Sequence, residues 1–275
     1  MKLVQPRRRD PQGQNPGKDP ALDRSGLTQP AVKNLGDLGS VRRFSDLRLR
    51  LRTRLPSLWR FYMFAKRACF ALSHPTRRLR FEAIARRNKW RNDESISGFG
   101  STTVGTKPIR EALVGMINAL EVTDILDIPC GDFHWMRQVD LGIRYVGADI
   151  ADAIIRPLQQ AHAGDEMITF RRLDIVTDAL PQSDLVFTRE CFNHFSFRSI
   201  RAAIANVRSS KSRLIALTHY PHHMSNSNQE TGYTYRPLNF TLHPFCWPEP
   251  LLHLAEASPD GRVMAVWEVS ALPST

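Results

Sequence analysis

The stretch Ile125-Leu126-Asp127-Ile128-Pro129-Cys130-Gly131-Asp132-Phe133 constrains this chain more than any other. Ile125, Leu126 and Ile128 predict a buried strand with Asp127 near its end. Pro129 and Gly131 break that strand, and Phe133-His134-Trp135-Met136 is expected to open a helix. Strand, tight turn and helix together bring bare backbone N–H groups to the carboxyl edge of a sheet. One such turn has many uses, and spacing narrows them. Tyr145-Val146-Gly147-Ala148-Asp149 is a second apolar strand ending in a carboxylate, 22 residues after Asp127.

A carboxylate only accepts hydrogen bonds, so an acid at the tip of the next strand suits the two hydroxyls of a ribose. The pair therefore reads as a nucleoside-cofactor site. The surrounding pattern supports a sheet of that kind. Helices are expected over Phe81–Asn92, Thr106–Leu120 (Pro108 in its first turn), Ala151–Ala163 and Phe195–Val207. Strands are expected over Met167–Asp174, ending in a third acid, and over Asp184–Thr188 and Arg213–Thr218. Alternation of strand and helix implies a parallel sheet covered on both faces. Residues 219–250 lack periodicity and read as a long functional loop or lid. Leu251–Leu254 and Arg262–Val269, joined by Ser258-Pro259-Asp260-Gly261, then read as a terminal hairpin.

Charge divides the chain. Residues 1–80 hold 19 Lys and Arg against 5 Asp and Glu, whereas the whole chain holds 38 against 27, so the later residues are slightly acidic. The composition of residues 1–40 predicts disorder. Residues 41–72 alternate leucine with arginine and then run into Leu58-Trp59-Arg60-Phe61-Tyr62-Met63-Phe64. Three readings stand for that stretch: a helix packing its aromatics on the main domain, an anchor on an anionic membrane surface, or a grip on nucleic-acid phosphates. Its apolar runs are too short to span a bilayer. The division expected is a basic, partly disordered extension over 1–75 and a catalytic domain over 76–275. The four cysteines, Cys69, Cys130, Cys191 and Cys246, show neither zinc-site nor disulfide spacing, which points to a reducing cytoplasm.

Three strand-tip acids, a glycine turn and a terminal hairpin resemble the class I S-adenosylmethionine-dependent methyltransferases over roughly residues 81–275. The likeness is greatest to a bacterial group with the signature Leu-Asp-x-Pro-Cys-Gly-Asp-Phe-x-Trp-Met, here Leu126 to Met136. That group also carries a Ser-Gly-x-Gly-Ser loop, here Ser97 to Ser101. Its Thr-Gly-x-x-x-Arg-Pro-Leu-Asn segment is here Thr231 to Asn239, and Pro-Phe-x-x-Pro-x-Pro is Pro244 to Pro250. Pro129 and Phe133 replace the first and third glycines of the general class I pattern. The resemblance implies a Rossmann-like α/β fold, with a seven-stranded, mostly parallel sheet ending in a β-hairpin. It implies S-adenosylmethionine as cofactor, with Asp127 and Gly131 beside the methionine moiety, Asp149 on the ribose diol, and Asp174 with Ile175 at the adenine edge. Pro129, Cys130, Ile150 and Arg189 complete the expected cofactor set.

Methyl transfer to a small-molecule or glycan-linked acceptor, on oxygen or nitrogen, is the first functional expectation. His194 and Glu190, after the fourth strand, are the candidate bases; each also has a structural use, His194 as a helix-start residue and Glu190 as an ion-pair partner. In the lid, Arg236, Asn239, Asn226 and His219 are candidate acceptor contacts, against the alternative that Arg236 and Asn239 only pin an irregular loop. His219, His222 and His223 lack a convincing metal-ligand spacing, so no metal is expected. The rivals are RNA methylation using the basic extension, disfavoured by the acidic main domain, and a cofactor-binding partner subunit without turnover. Nicotinamide redox chemistry is disfavoured by the Pro129 turn and the hairpin end. Location at the inner face of a membrane follows only from the second reading of residues 41–72.

Overall fold

A computed structural model describes residues 53, 55–232, 234–256 and 258–273, with no account of the Arg67 side chain. The chain divides into two units, residues 1–60 and 61–275. The disorder expected of residues 1–40 lies outside the described residues. Helix α1, Pro56–Ser73, crosses the boundary between the units. No described helix is long and apolar enough to cross a membrane.

The second unit is built on one sheet. Its strands are β1 (Asp124–Asp127), β2 (Arg144–Asp149), β3 (Ile168–Arg172), β4 (Leu185–Thr188), β5 (Leu214–His219), β6 (Leu252–Ala255) and β7 (Val263–Glu268), in the order β3-β2-β1-β4-β5-β7-β6. The first five run parallel, with Leu126 beside Val146 and Val186. β7 pairs antiparallel with both β5 and β6, which gives the expected seven strands with a hairpin at one edge. Order reverses at β1, so the crevice beyond the β1 and β4 tips is where a ligand is accommodated in such a sheet.

Helices α2 (Arg77–Arg86), α3 (Lys107–Ala119), α4 (Asp152–Ala161) and α5 (Phe197–Ser209) accompany the sheet. Alternate strand residues feed two cores. Leu126, Val186, Ile215 and Ala265 pack with Ile200, Ala203, Ile204 and Val207 of α5. Ile125, Tyr145, Leu185 and Ala216 pack with Ile109, Leu113 and Ile117 of α3. This is the period of two along strands meeting the 3.6-residue period of helices.

Three expected elements differ. No helix starts at Phe133: that residue has φ +57°, and only a short 3-10 turn follows, Met136–Gln138. The helix placed at Phe81–Asn92 is α2, which begins earlier because Thr76 Oγ1 accepts the Leu79 N–H at 3.2 Å and caps it. It stops before Asn88, where φ is +38°. α5 begins at Phe197 because Phe192–His194 forms its own 3-10 turn and Ser196 Oγ caps from outside, accepting the Ser199 N–H at 3.1 Å.

Candidate active site

A cleft of about 660 Å³ opens at the carboxyl edge of β1, β2 and β4, walled by α2, the 95–101 loop and the residues after β4. At its centre is the turn after β1. The Ile128–Pro129 peptide is cis, and Gly131 has φ +57°. A Cβ built on Gly131 would lie 2.2 Å from Ser97 Oγ, so only glycine fits there. Asp132 locks the two signature loops together: its carboxylate accepts Ser95 Oγ–H at 2.9 Å, the Ile96 N–H at 3.0 Å and Ser97 Oγ–H at 3.2 Å.

Asp127 is buried on the cleft floor. Its Oδ2 accepts the Tyr145 hydroxyl at 2.6 Å, while Oδ1 has no hydrogen-bond partner. Burial pushes this carboxyl up to about 7, opposed by the Tyr145 bond and the nearby Arg189 charge. Asp149, at the β2 tip, also lines the cleft and accepts the Ala151 N–H at 2.9 Å. Burial raises its carboxyl to about 6, against the backbone N–H groups of Ala151, Gly131 and Ile150. Pro129, Cys130, Gly131, Ile150 and Ile175 line the same space. An acceptor without a partner on one strand tip and a buried carboxylate on the next, around a tight glycine turn, fit a ligand with an ammonium group and a ribose diol.

Asp174 has another engagement. It sits two residues past β3 and pairs with Arg77 of α2, Nη2–Oδ2 2.8 Å and Nε–Oδ2 3.0 Å, and its Oδ1 accepts the Val176 N–H at 2.9 Å. Its carboxylate thus anchors the α2 wall while lining the cleft beside Ile175. Arg189 also lines the cleft, but Nε and Nη2 grip both oxygens of Glu256 at 3.1 and 2.6 Å and Nη1 donates to the Gly100 carbonyl at 2.8 Å. It braces the wall.

His194 lines the cleft and is buried. Its Nδ1 lies 3.0 Å from the Thr234 carbonyl, which assigns the proton to Nδ1 and leaves Nε2 an acceptor. Burial lowers its pKa to about 4, so the ring is neutral at pH 7. Trp90 and Tyr235 contact it edge-on, with centroids at 5.5 and 5.3 Å. Glu190 follows β4 in a left-handed conformation, φ +56°. Its N–H donates to Thr218 Oγ1 at 2.7 Å, and its carboxylate pairs with Arg262. Arg262 also holds Glu256 Oε2, Nη2–O 2.8 Å. Burial pushes the Glu190 carboxyl upward and the charges of Arg262 and Arg189 oppose it.

The four lid candidates stand outside this cleft lining. Asn239 Nδ2 donates to the Pro221 and His223 carbonyls at 3.0 Å each. Asn226 Nδ2 donates to the Asn239 carbonyl at 2.7 Å. Arg236 Nε donates to the Ser227 carbonyl, and its guanidinium lies 5.2 Å from the Phe197 ring centroid. His219 is buried at the end of β5, stacked on His253. These side chains hold an irregular loop, as its unpaired backbone groups require. No group of His, Cys, Asp or Glu able to hold a metal occurs among the described residues.

Trp90, Phe99, Tyr235 and the Arg262–Glu256 pair were not anticipated as part of the site. Their roles depend on distant partners: Glu256 reaches Arg189 across 67 residues, and Trp90 follows α2, which ends before the expected Asn92. Two motif segments did point there: Thr-Gly-x-x-x-Arg-Pro-Leu-Asn contains Tyr235, and Ser-Gly-x-Gly-Ser contains Phe99.

No protein-family model matches the chain, and no curated protein matches it. Solved structures resemble parts of the chain at low identity. Magnesium protoporphyrin IX methyltransferase from Synechocystis PCC 6803, with bound SAM, is 14% identical over 68% of this chain and 92% of that one, with a TM-score of 0.44. PigF with SAH is 15% identical over 59% and 55%, TM-score 0.45. The methyltransferase domain of bacterial CtHen1 is 11% identical over 60% and 99%, TM-score 0.45. The Rossmann-like α/β architecture with a terminal hairpin stands on the strand order and pairing of this chain itself.

Proposed function

We propose that this protein is an S-adenosylmethionine-dependent methyltransferase acting on an oxygen or nitrogen of a small-molecule or glycan-linked acceptor. The observation that carries this reading is the pair of buried acids at adjacent strand tips, Asp127 with an unpartnered Oδ1 and Asp149 lining the same cleft, around the Gly131 turn. The cofactor supplies an electrophilic methyl group on a sulfonium. The protein's own residues then have to bind, orient and exclude water. Asp127 holds the methionine ammonium, Asp149 holds the ribose diol, and Ile150 and Ile175 offer apolar surface to the base.

The acceptor enters between α2 and the residues after β4. Trp90, Phe99 and Tyr235 offer ring faces and edges there, a surface suited to a sugar or another cyclic acceptor. His194, neutral with Nε2 free of a proton, is placed to take one from a hydroxyl or amine nucleophile. Glu190, paired with Arg262, shapes the wall beside it.

Calorimetric titration of the full chain with S-adenosylmethionine and S-adenosylhomocysteine tests this reading. Binding in the micromolar range is expected for both. A folded protein that binds neither would overturn the assignment.

A further inference from the structure

Helix α1 presents an apolar face that the cleft does not use. Phe61, Phe64, Ala65, Ala68 and Leu72 recur at i, i+3, i+4, i+7 and i+11 of one continuous helix, which gathers them on a single side. Phe61, Phe64 and Leu72 are 67%, 69% and 81% exposed. Met63 and Phe70, on the opposite side, are half-buried, and Lys89 Nζ sits 3.8 Å from the Phe70 ring centroid. The helix is therefore held along one side, while along the other Phe61, Phe64 and Leu72 stand exposed around the half-buried Ala65 and Ala68. Two exposed phenyl rings and a leucine within 12 residues are costly to leave in water.

The flanking charge narrows what covers them. Residues 41–67 carry nine Lys and Arg against the single acid Asp46, a net of +8. A second copy of this face would bring two such runs together, at a repulsive cost. A nucleic acid would attract the cations and stack bases on the phenyl rings, but it offers no apolar phase to Leu72, the most exposed residue of the face. An anionic bilayer supplies both: phosphates for the cations and an acyl boundary for the rings. We propose that α1 docks in the headgroup plane of an anionic membrane, inserting Phe61, Phe64 and Leu72, and that the basic run 41–67 supplies the electrostatic attraction. This docking does not depend on the methyl-transfer reading and is tested without cofactor.

The full chain is to be sedimented with vesicles of phosphatidylcholine, with and without phosphatidylglycerol. Binding is expected to the anionic vesicles only and to weaken with salt. In F61S/F64S it should fall about tenfold or more, because two inserted rings are lost while every charge is kept. F61L/F64L should retain most of it. These side chains are exposed, so the melting temperature should match that of the wild type in both variants. Failure of the wild type to bind anionic vesicles, or equal binding by F61S/F64S, would overturn the proposal. So would polyuridylate binding in place of vesicle binding, unchanged in F61S/F64S, which would assign the basic run to nucleic acid. A wild-type dimer that F61S/F64S splits would instead assign the face to a second copy.

Discussion

Asp127 and Asn239 are equally hidden, each 3% exposed, yet they differ in every other respect. Asn239 uses its full capacity: Nδ2 donates to two carbonyls, and Oδ1 accepts the Thr241 N–H at 3.0 Å and the Thr241 hydroxyl at 2.7 Å. Asp127 makes one bond and leaves Oδ1 without a partner. Burial alone therefore says nothing about function in this protein. A completed set of bonds marks a side chain that holds structure, and an incomplete set in a cleft marks one awaiting a ligand.

Four measurements can break or sharpen that contrast. Asp149→Ala should weaken cofactor binding about 100-fold, or about 3 kcal/mol, as expected for losing charge-assisted bonds to a diol. Stability should fall by only about 1 kcal/mol, from the Ala151 N–H left without its acceptor; an equal loss of stability and affinity would place Asp149 with Asn239. Asn239→Ala should do the reverse. Unfolding in urea should show a loss of about 2–3 kcal/mol from unpaired buried carbonyls, with cofactor affinity within about twofold of the wild type. A large affinity loss at unchanged stability would return Asn239 to the binding set.

The third measurement concerns His194. Its folded pKa of about 4 lies below the unfolded value of 6.5, so between these limits the unfolded chain binds the extra proton. Its contribution is present above pH 6.5 and is lost as pH falls toward 4, by on the order of 2 kcal/mol. His194→Gln should lose correspondingly less stability between pH 7 and pH 4.5; an unchanged pH profile would contradict the buried neutral ring.

The smallest effect concerns Asp127. Raised to about 7, this carboxyl is protonated at pH 5.5 and ionised at pH 8. A cationic ligand favours the ionised form, so cofactor affinity should rise about tenfold across that range and binding should release a proton. Asp127→Asn should flatten the profile. Calorimetry in two buffers of different ionisation enthalpy reads the proton directly, and no release from the wild type would remove Asp127 from contact with the ligand.

Much of the fold was legible because its signals are local. Alternation and short apolar runs marked all seven strands, and the 22-residue spacing from Asp127 to Asp149 put two carboxylates on neighbouring tips. Local geometry hid the rest. A left-handed Phe133 ends the expected helix before it starts, and a side-chain cap at Thr76 shifts α2 upstream. Neither has a periodicity to read.

By itself, then, the sequence determined the sheet, the glycine turn and the two central acids, since burial patterns and turn chemistry act over a few residues. Only the tertiary structure decided how each polar side chain is used. Arg77 reached Asp174 across 97 residues and paired with it at the cleft wall, and Glu256 did the same to Arg189. Asn226 and Asn239 spent their side-chain donors on backbone carbonyls, whereas Arg236 keeps Nη2 buried without a hydrogen-bond partner. Partners of this kind are chosen by three-dimensional proximity and by the cost of leaving a buried polar group unpaired, which no local stretch of sequence encodes.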